Sequence, residues 1–144
     1  MNGLRLTRSY HFSAAHQLAN PAFSDEENAR IYGQCFRQHG HNYLLEVTVA
    51  GQVDPVTGMS TDIRSLDATV ERAVLSRVDH YDLSSTVPEL EGVITTGESL
   101  ARAFWQWLEP ALPSGSLRRV AVVETANNVF EYSGDNPVSR EVTR

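Results

Sequence analysis

The stretch Cys35-Phe36-Arg37-Gln38-His39-Gly40-His41-Asn42-Tyr43 contains the single cysteine of the chain and two of its five histidines. The residues that follow alternate in character from Tyr43 to Val49, a pattern that predicts a β-strand. Side chains on a strand point to alternate faces, so His39 and His41 share one face if the strand extends back to them. Two imidazoles placed in this way form one side of a candidate metal site.

His16 is the candidate for a third ligand. It ends another predicted strand, Leu4 to His16, and antiparallel pairing of the two strands would bring it beside His39 and His41. Three imidazoles with one open position are typical of a catalytic zinc site, although imidazole also suits copper, nickel or iron. Two alternatives stay open. Cys35 could be the fourth ligand of a closed structural site, or the histidines could be ordinary surface residues.

Length and composition exclude several classes of protein. The chain has 144 residues, which is typical of one domain, and a formal net charge of −6 without a long basic run, which argues against a nucleic-acid partner. We expect no signal peptide, because the N-terminus lacks an apolar segment, and no membrane span, because no apolar stretch reaches roughly 20 residues. One cysteine cannot form an internal disulfide, which suits a reducing, cytoplasmic location.

All twelve lysine-or-arginine positions are arginine, since the chain contains no lysine. This composition excludes a Schiff-base mechanism, which requires a lysine amine. Any contact between a cationic side chain and a phosphate must then come from arginine, whose planar guanidinium binds oxyanions through a fork of N–H donors.

Hydrophobic periodicity predicts the element order β-β-α-α-β-β. The predicted strands are Leu4 to His16, His39 to about Val53, Leu117 to Thr125 and Val129 to Tyr132, and the predicted helices run from Asp62 to about Val78 and from Thr95 toward Pro110. A short capped helical turn is expected between Ser24 and Gly33. Four antiparallel strands with two helices on one face form an α+β layer, and its open edges favour pairing between subunits. We expect a single domain over residues 1–135 and a mobile tail over 136–144.

Three polar groups outside the histidine cluster are candidates for chemistry. Asp79-His80 follows the end of the first long helix, where a carboxylate can orient an imidazole and raise its basicity. Alternatively, Asp79 pairs with Arg77, or His80 interacts with the helix end. Glu124 ends an apolar strand, so it either binds a cationic or amide-bearing ligand or is the first exposed residue of a turn.

Helix capping explains other polar residues without a functional role. Asp62 is expected to cap the first long helix. Thr95 and Glu98 fit a capping box, in which the threonine hydroxyl bonds forward and the glutamate bonds back to the N-cap.

Taken in order, these motifs resemble the 6-pyruvoyltetrahydropterin synthase and 6-carboxytetrahydropterin synthase family over about residues 4–134. The motifs are Phe12-Ser13-Ala14-Ala15-His16, Cys35 with three residues before His39-Gly40-His41, Asp79-His80, Thr95-Thr96 with Glu98, and Glu124-Thr125. Each motif alone is weak, and their order and intervals make the resemblance specific.

The resemblance implies the tunnelling fold, in which the edge strands of three subunits join into a barrel. Two such trimers stack into a homohexamer with active sites between subunits. The implied roles are zinc ligation by His16, His39 and His41, a catalytic thiol at Cys35, a second proton-transfer group of Asp79 and His80 that reaches a neighbour's zinc site, a pterin anchor at Glu124, and a pterin pocket lined by Thr95 and Thr96.

The implied substrate is 7,8-dihydroneopterin triphosphate, and the family makes two products from it. One branch keeps the three-carbon side chain as a pyruvoyl group. The other cleaves it, releasing acetaldehyde and leaving 6-carboxytetrahydropterin for queuosine and other 7-deazapurines. The interval between Cys35 and His39 resembles the carboxy branch, whereas residues 24–35 and 124–128 resemble the pyruvoyl enzymes. Because that interval sets the distance from thiol to metal, we expect a zinc-dependent lyase of the carboxy branch, with 6-pyruvoyltetrahydropterin synthase as the alternative.

Two departures from the family pattern affect this interpretation. Gln17 stands where the family often has arginine, which leaves the triphosphate contact unassigned. Gly97 also differs from the pyruvoyl pattern, so we assign no ligand role to Glu98. Two rival functions are a structural zinc module closed by Cys35 and an aldolase that acts on dihydroneopterin without needing its triphosphate.

Overall fold

A computed structural model describes residues 3–135 of the chain, and the predicted tail over residues 136–144 lies outside them. One antiparallel sheet, in the spatial order β1-β2-β3-β4, forms the centre of the fold. Its strands are β1 (Arg5–His16), β2 (His39–Ala50), β3 (Leu117–Thr125) and β4 (Asn128–Tyr132). These bounds agree closely with the predicted strands, and β2 does extend back to the first histidine of the motif.

The predicted end of β2 was three residues too late. The strand ends at Ala50 instead of Val53. The backbone carbonyl of Ser60 approaches Gly51 so closely that an added Cβ would overlap it. This close approach requires a glycine and turns the chain out of the sheet.

The helices are α1 (Asp25–Tyr32), α2 (Ile63–Val70), α3 (Ser76–Val78) and α4 (Gly97–Leu108). Side chains of Ser24, Asp62 and Thr96 accept hydrogen bonds from first-turn N–H groups of α1, α2 and α4, respectively. A π-helical turn, Glu71–Leu75, joins α2 to α3 without a break. No helix among the described residues combines the length and apolar character that crossing a membrane requires.

The hydrophobic core lies between one face of the sheet and the helices from α2 to α4. Phe12 stacks on Tyr43 with ring centroids 4.7 Å apart, and Phe104 of α4 meets Phe12 edge-on at 5.9 Å. The predicted helical stripes supply the other side of this core with the buried residues Leu66, Val70, Ala73, Val74, Val78, Leu100 and Leu108. Full burial of each leucine or valine among them contributes about 1.5–3 kcal/mol. The predicted α+β class, with long helices on one face of a four-stranded sheet, is confirmed.

The opposite face of the sheet carries ion pairs. Arg119 of β3 contacts Glu46 at 3.0 Å and Glu131 at 2.7 Å, so one guanidinium links β2, β3 and β4. This face is charged around Arg119, although β3 also places the apolar residues Ala121 and Val123 on it.

The segment after α3 covers the end of β1 at the outer edge of the sheet. The His80 N–H donates to the Ser13 carbonyl at 2.6 Å, and the Ala15 N–H donates to the Tyr81 carbonyl at 3.0 Å. The rest of β1 and the outer side of β4 form sheet edges that pair with no strand among residues 3–135.

Candidate metal centre and active site

The three predicted metal ligands lie together where β1 ends and β2 begins. In the β1–β2 register His16 pairs with His39, and Ala14 pairs with His41. One ring nitrogen from each histidine lies within 4.8 Å of the others. The ring centroids are 4.5 to 5.1 Å apart. The strand-parity argument from the sequence is therefore confirmed in its geometry.

Backbone carbonyls fix the orientation of two of these rings. The His16 Nδ1–H donates to the Thr95 carbonyl at 2.9 Å, and the His39 Nδ1–H donates to the Arg37 carbonyl at 2.6 Å. A proton held on Nδ1 leaves the Nε2 lone pair available for a metal. Carbonyls in this role are the usual outer partners of metal-binding histidines.

The chemistry of the donor set fits a divalent metal such as zinc. His16 is fully buried, and neither its Nε2 nor the buried Nε2 of His41 has a hydrogen-bond partner among the described residues. Burial lowers the pKa of both imidazoles, which favours the neutral form that binds metal. Two buried nitrogens without partners would be costly unless a ligand occupied them.

Cys35 does not belong to this cluster. It lies exposed on a 3₁₀ turn, Gly33–Phe36, and its carbonyl accepts a hydrogen bond from Leu18 N–H at 2.9 Å. The ligand cluster found among the described residues consists of the three histidines alone. The arrangement thus matches an open three-histidine site better than a closed site with a thiolate.

Asp79 and His80 form the predicted carboxylate–imidazole pair. His80 Nδ1 lies 2.9 Å from Asp79 Oδ1, which also accepts from the Ser13 N–H at 3.0 Å. His80 has a positive φ of 67°, and its side chain is 82% exposed. Arg77 lies 3.9 Å from Glu89, so the alternative pairing of Asp79 with Arg77 is wrong. The pair lies outside the histidine cluster, beside the edge of β1.

Thr95 and Thr96 have structural contacts that the sequence motif did not reveal. The capping-box prediction was wrong by one residue, since Thr96 is the N-cap of α4 and its hydroxyl accepts from the Ser99 N–H at 3.3 Å. Thr95 is buried, its carbonyl orients His16, and its hydroxyl lies 3.1 Å from the Ser84 hydroxyl. Because Thr95 forms these tertiary contacts, α4 begins one residue later than the capping box predicts.

Glu124 directly follows the last residue pair of the β2–β3 ladder, Leu44 with Val123, so it lies toward the end of the sheet that carries the histidines. Glu124 is half-buried, and its carboxylate forms no hydrogen bond or ion pair with residues 3–135. Its charge opposes the effect of burial on the pKa of His16 and His41. An unpaired carboxylate in this position is available to a ligand.

Sequence reasoning did not single out Tyr43, a core residue whose ring lies 5.3 Å from the His41 ring. Its side chain is fully buried, and its hydroxyl has no hydrogen-bond partner among the described residues. The signal for this neighbourhood is its strand parity, which it shares with His39 and His41. Burial, and secondarily the charge of Glu124, raise the pKa of the Tyr43 phenol.

A protein-family model described as 6-pyruvoyl tetrahydropterin synthase matches residues 5–135. The chain belongs to this family. The family resemblance predicted from the motifs is therefore confirmed, and so is an enzyme of the lyase class. The match also spans all four strands and the complete candidate site.

Relatives within the family carry two different names. The 6-pyruvoyl tetrahydrobiopterin synthase of Homo sapiens is 40% identical over 133 residues, which cover 91% of this chain and 92% of the human protein. The 6-carboxy-5,6,7,8-tetrahydropterin synthase of a Synechocystis strain is 32% identical over 129 residues, which cover 87% and 89% of the two chains. The pyruvoyl relative is the more similar of the two.

A solved structure supports the fold of the family. The 6-pyruvoyl tetrahydropterin synthase of Caenorhabditis elegans superposes with a TM-score of 0.86 at 33% identity, covering 92% of this chain and 96% of the other. This likeness confirms the predicted tunnelling fold of the subunit.

Proposed function

We propose that this protein is a zinc-dependent 6-pyruvoyltetrahydropterin synthase, which eliminates triphosphate from 7,8-dihydroneopterin triphosphate. The observation that carries the proposal is the open three-histidine site with buried, unpartnered Nε2 atoms in a chain of this family. The Glu124 carboxylate, unpaired among the described residues, lies toward the same end of the sheet, and the single cysteine of the sequence lies four residues before His39.

The choice of product rests on the relatives. The interval between Cys35 and His39 had favoured the carboxy branch, but the 40% identity to a pyruvoyl enzyme exceeds the 32% identity to a carboxy enzyme. Identity over most of the chain reflects the residues of the whole pocket, whereas the interval between Cys35 and His39 reflects a single turn. We therefore prefer 6-pyruvoyltetrahydropterin synthase to the carboxy branch, which the interval alone predicts.

The residues of the site divide the chemistry among them. His16, His39 and His41 would hold zinc, which would supply Lewis acidity at the side-chain hydroxyls of the substrate and so acidify the neighbouring carbon-bound proton. Cys35 acts as the base that takes that proton. Asp79 holds the His80 ring by its Nδ1–H, so that Nε2 can exchange the second proton. Glu124 accepts from the amide and amino N–H groups of the pterin ring.

Assembly is part of this proposal. The exposed pair of Asp79 and His80 lies at the edge of β1, outside the histidine cluster of its own chain. Sheet edges with unpaired N–H and C=O groups favour joining to other strands. A homohexamer built as two stacked trimers would pair these edges and bring the pair toward a neighbour's site.

Product analysis tests the proposed function. The zinc-loaded protein is incubated with 7,8-dihydroneopterin triphosphate, and pterin products are identified by mass alongside an assay for acetaldehyde. We expect a pyruvoyl product, inorganic triphosphate and no acetaldehyde. Acetaldehyde with 6-carboxytetrahydropterin would contradict the product assignment. Equal turnover of dephosphorylated dihydroneopterin would indicate an aldolase instead.

A further inference from the structure

The triphosphate of the proposed substrate has no assigned partner in the site described above. Gln17 stands where the family often has arginine, and the chain contains no lysine. A cationic contact from this chain to the triphosphate must therefore come from another arginine. Four arginines among the described residues already contact an acidic or aromatic side chain: Arg8, Arg77, Arg102 and Arg119.

Arg37 lies beside the metal site along the chain and has no such partner. It stands two residues after Cys35 and two residues before His39. Its side chain is exposed and forms no ion pair or hydrogen bond with any described residue. The arginine next nearest in sequence to a metal ligand is Arg8, eight residues before His16, and it already forms an ion pair. Arg37 is therefore the free arginine that the chain places at the site.

Hydrogen bonds fix the backbone of Arg37 against the site. Its carbonyl accepts from the His39 Nδ1–H at 2.6 Å, so one imidazole ring separates that carbonyl from Nε2, the atom left for a metal. Its own N–H donates to the Gln34 carbonyl at 3.1 Å, at the end of the 3₁₀ turn that carries Cys35. The Arg37 side chain thus starts from a fixed point between the candidate base and the metal ligands.

The charge of Arg37 favours an anion at this place. Three neutral imidazoles that hold a divalent cation, with Arg37 beside them, carry more positive charge than Glu124 alone can offset. Like charges at short range repel each other, and an anion bound between them relieves that repulsion. The triphosphate is esterified to the same three-carbon side chain whose hydroxyls would lie at the metal. Its first phosphate must therefore lie within a few bonds of the metal, where Arg37 begins.

We propose that the Arg37 guanidinium binds the triphosphate group of the substrate. This inference rests on the proposed function. The planar guanidinium can donate two parallel N–H groups to a pair of phosphate oxygens, a contact stronger than one between neutral groups. Arg37 is thus a substrate-binding residue that distinguishes the triphosphate ester from dephosphorylated dihydroneopterin.

The test compares Arg37→Gln with its parent, both carrying Cys35→Ala to prevent turnover. Zinc-loaded samples are titrated calorimetrically with 7,8-dihydroneopterin triphosphate and, separately, with 7,8-dihydroneopterin. We expect the Kd of the triphosphate ester to rise about 10- to 100-fold, as for the loss of a charged hydrogen bond. The Kd of dihydroneopterin and the zinc content should stay unchanged. Arg37→Lys, which keeps the charge but loses the fork, should give an intermediate Kd for the ester.

Arg118→Gln is the matched control. Arg118 is exposed and lies near the start of β3, whereas Glu124 lies near its end, so loss of the Arg118 charge should change neither Kd. An equal rise of the ester Kd in this control would overturn the assignment, because net charge alone would then explain the effect.

Three further results would contradict the role of Arg37. An unchanged ester Kd in Arg37→Gln would overturn the assignment alone. An equal rise in the Kd of both pterins, or a loss of zinc, would also overturn it, because Arg37 would then act through His39. A parent that binds neither pterin would overturn the proposed function together with the assignment.

Discussion

At the scale of single residues, the site depends on which atoms already have partners. Nδ1 of His16 and of His39 is occupied by backbone carbonyls, and the opposite nitrogens remain for a metal. Strand parity predicted this cluster from sequence, because alternation is a local property of the chain. The carbonyl of Thr95 that orients His16 comes from 79 residues away. No local capping rule could reveal that contact.

Gly97 is a second residue whose role depends on a tertiary contact that local sequence rules do not reveal, and this dependence can be tested. It departs from the pyruvoyl motif, and a Cβ at this position would overlap the Phe130 ring of β4. Gly97→Ala should therefore destabilise the protein by about 1–3 kcal/mol despite the better helix propensity of alanine. Denaturant unfolding measures the effect.

Phe130→Leu combined with Gly97→Ala is the matched control. Relief of the overlap should make the double variant more stable than the sum of the two single changes predicts. If the two effects add strictly, the Phe130 ring is not the reason that position 97 requires a glycine.

At the scale of elements, periodicity predicted strand and helix bounds well, and what it missed has physical causes. The π turn between α2 and α3 leaves the buried stripe continuous, so the sequence pattern does not mark it. The β2 end depends on the approach of Ser60 to Gly51, which is a tertiary contact. The start of α4 depends on the hydrogen bond between the Thr95 carbonyl and the His16 ring.

The attachment of α2 to β1 gives a prediction about pH. Asp67 accepts from Arg8 Nη2 at 2.8 Å and from the Tyr10 hydroxyl at 2.7 Å, and these hydrogen bonds, that from Arg8 foremost, lower the pKa of the carboxyl. A carboxyl with a lowered pKa stabilises the fold above its unfolded pKa of about 4, and this stability is lost as the pH falls through the folded value.

Asp67→Asn isolates this contribution. At pH 6 the variant should melt about 1–3 °C below the wild type, a small difference because the pair is partly exposed. The gap should close as the pH is lowered toward 3. A gap that is independent of pH in calorimetric scans would mean that the carboxylate charge does not stabilise this contact.

At the scale of the whole molecule, one chain holds the cluster of three histidines, and the Asp79–His80 pair is not part of that cluster. The fold class followed from element order, whereas the product could not be decided from one sequence. A single interval near Cys35 favoured one branch, and comparison over the whole chain favoured the other.

Assembly gives the prediction at this scale. We expect sedimentation to show a particle of about six times the 16.0 kDa chain, the proposed homohexamer, because open sheet edges favour pairing between subunits. A stable 16.0 kDa monomer with full activity would contradict a site shared between subunits.

The central claim is that the three histidines form an open catalytic metal site in which Cys35 acts on the substrate and not on the metal. The most direct measurement is zinc content and turnover of Cys35→Ala beside the wild type. We predict one zinc per chain in both proteins, unchanged melting temperature, and turnover reduced at least about 100-fold in the variant. Loss of zinc with loss of stability would contradict the account, because it would make Cys35 the fourth ligand of a structural site.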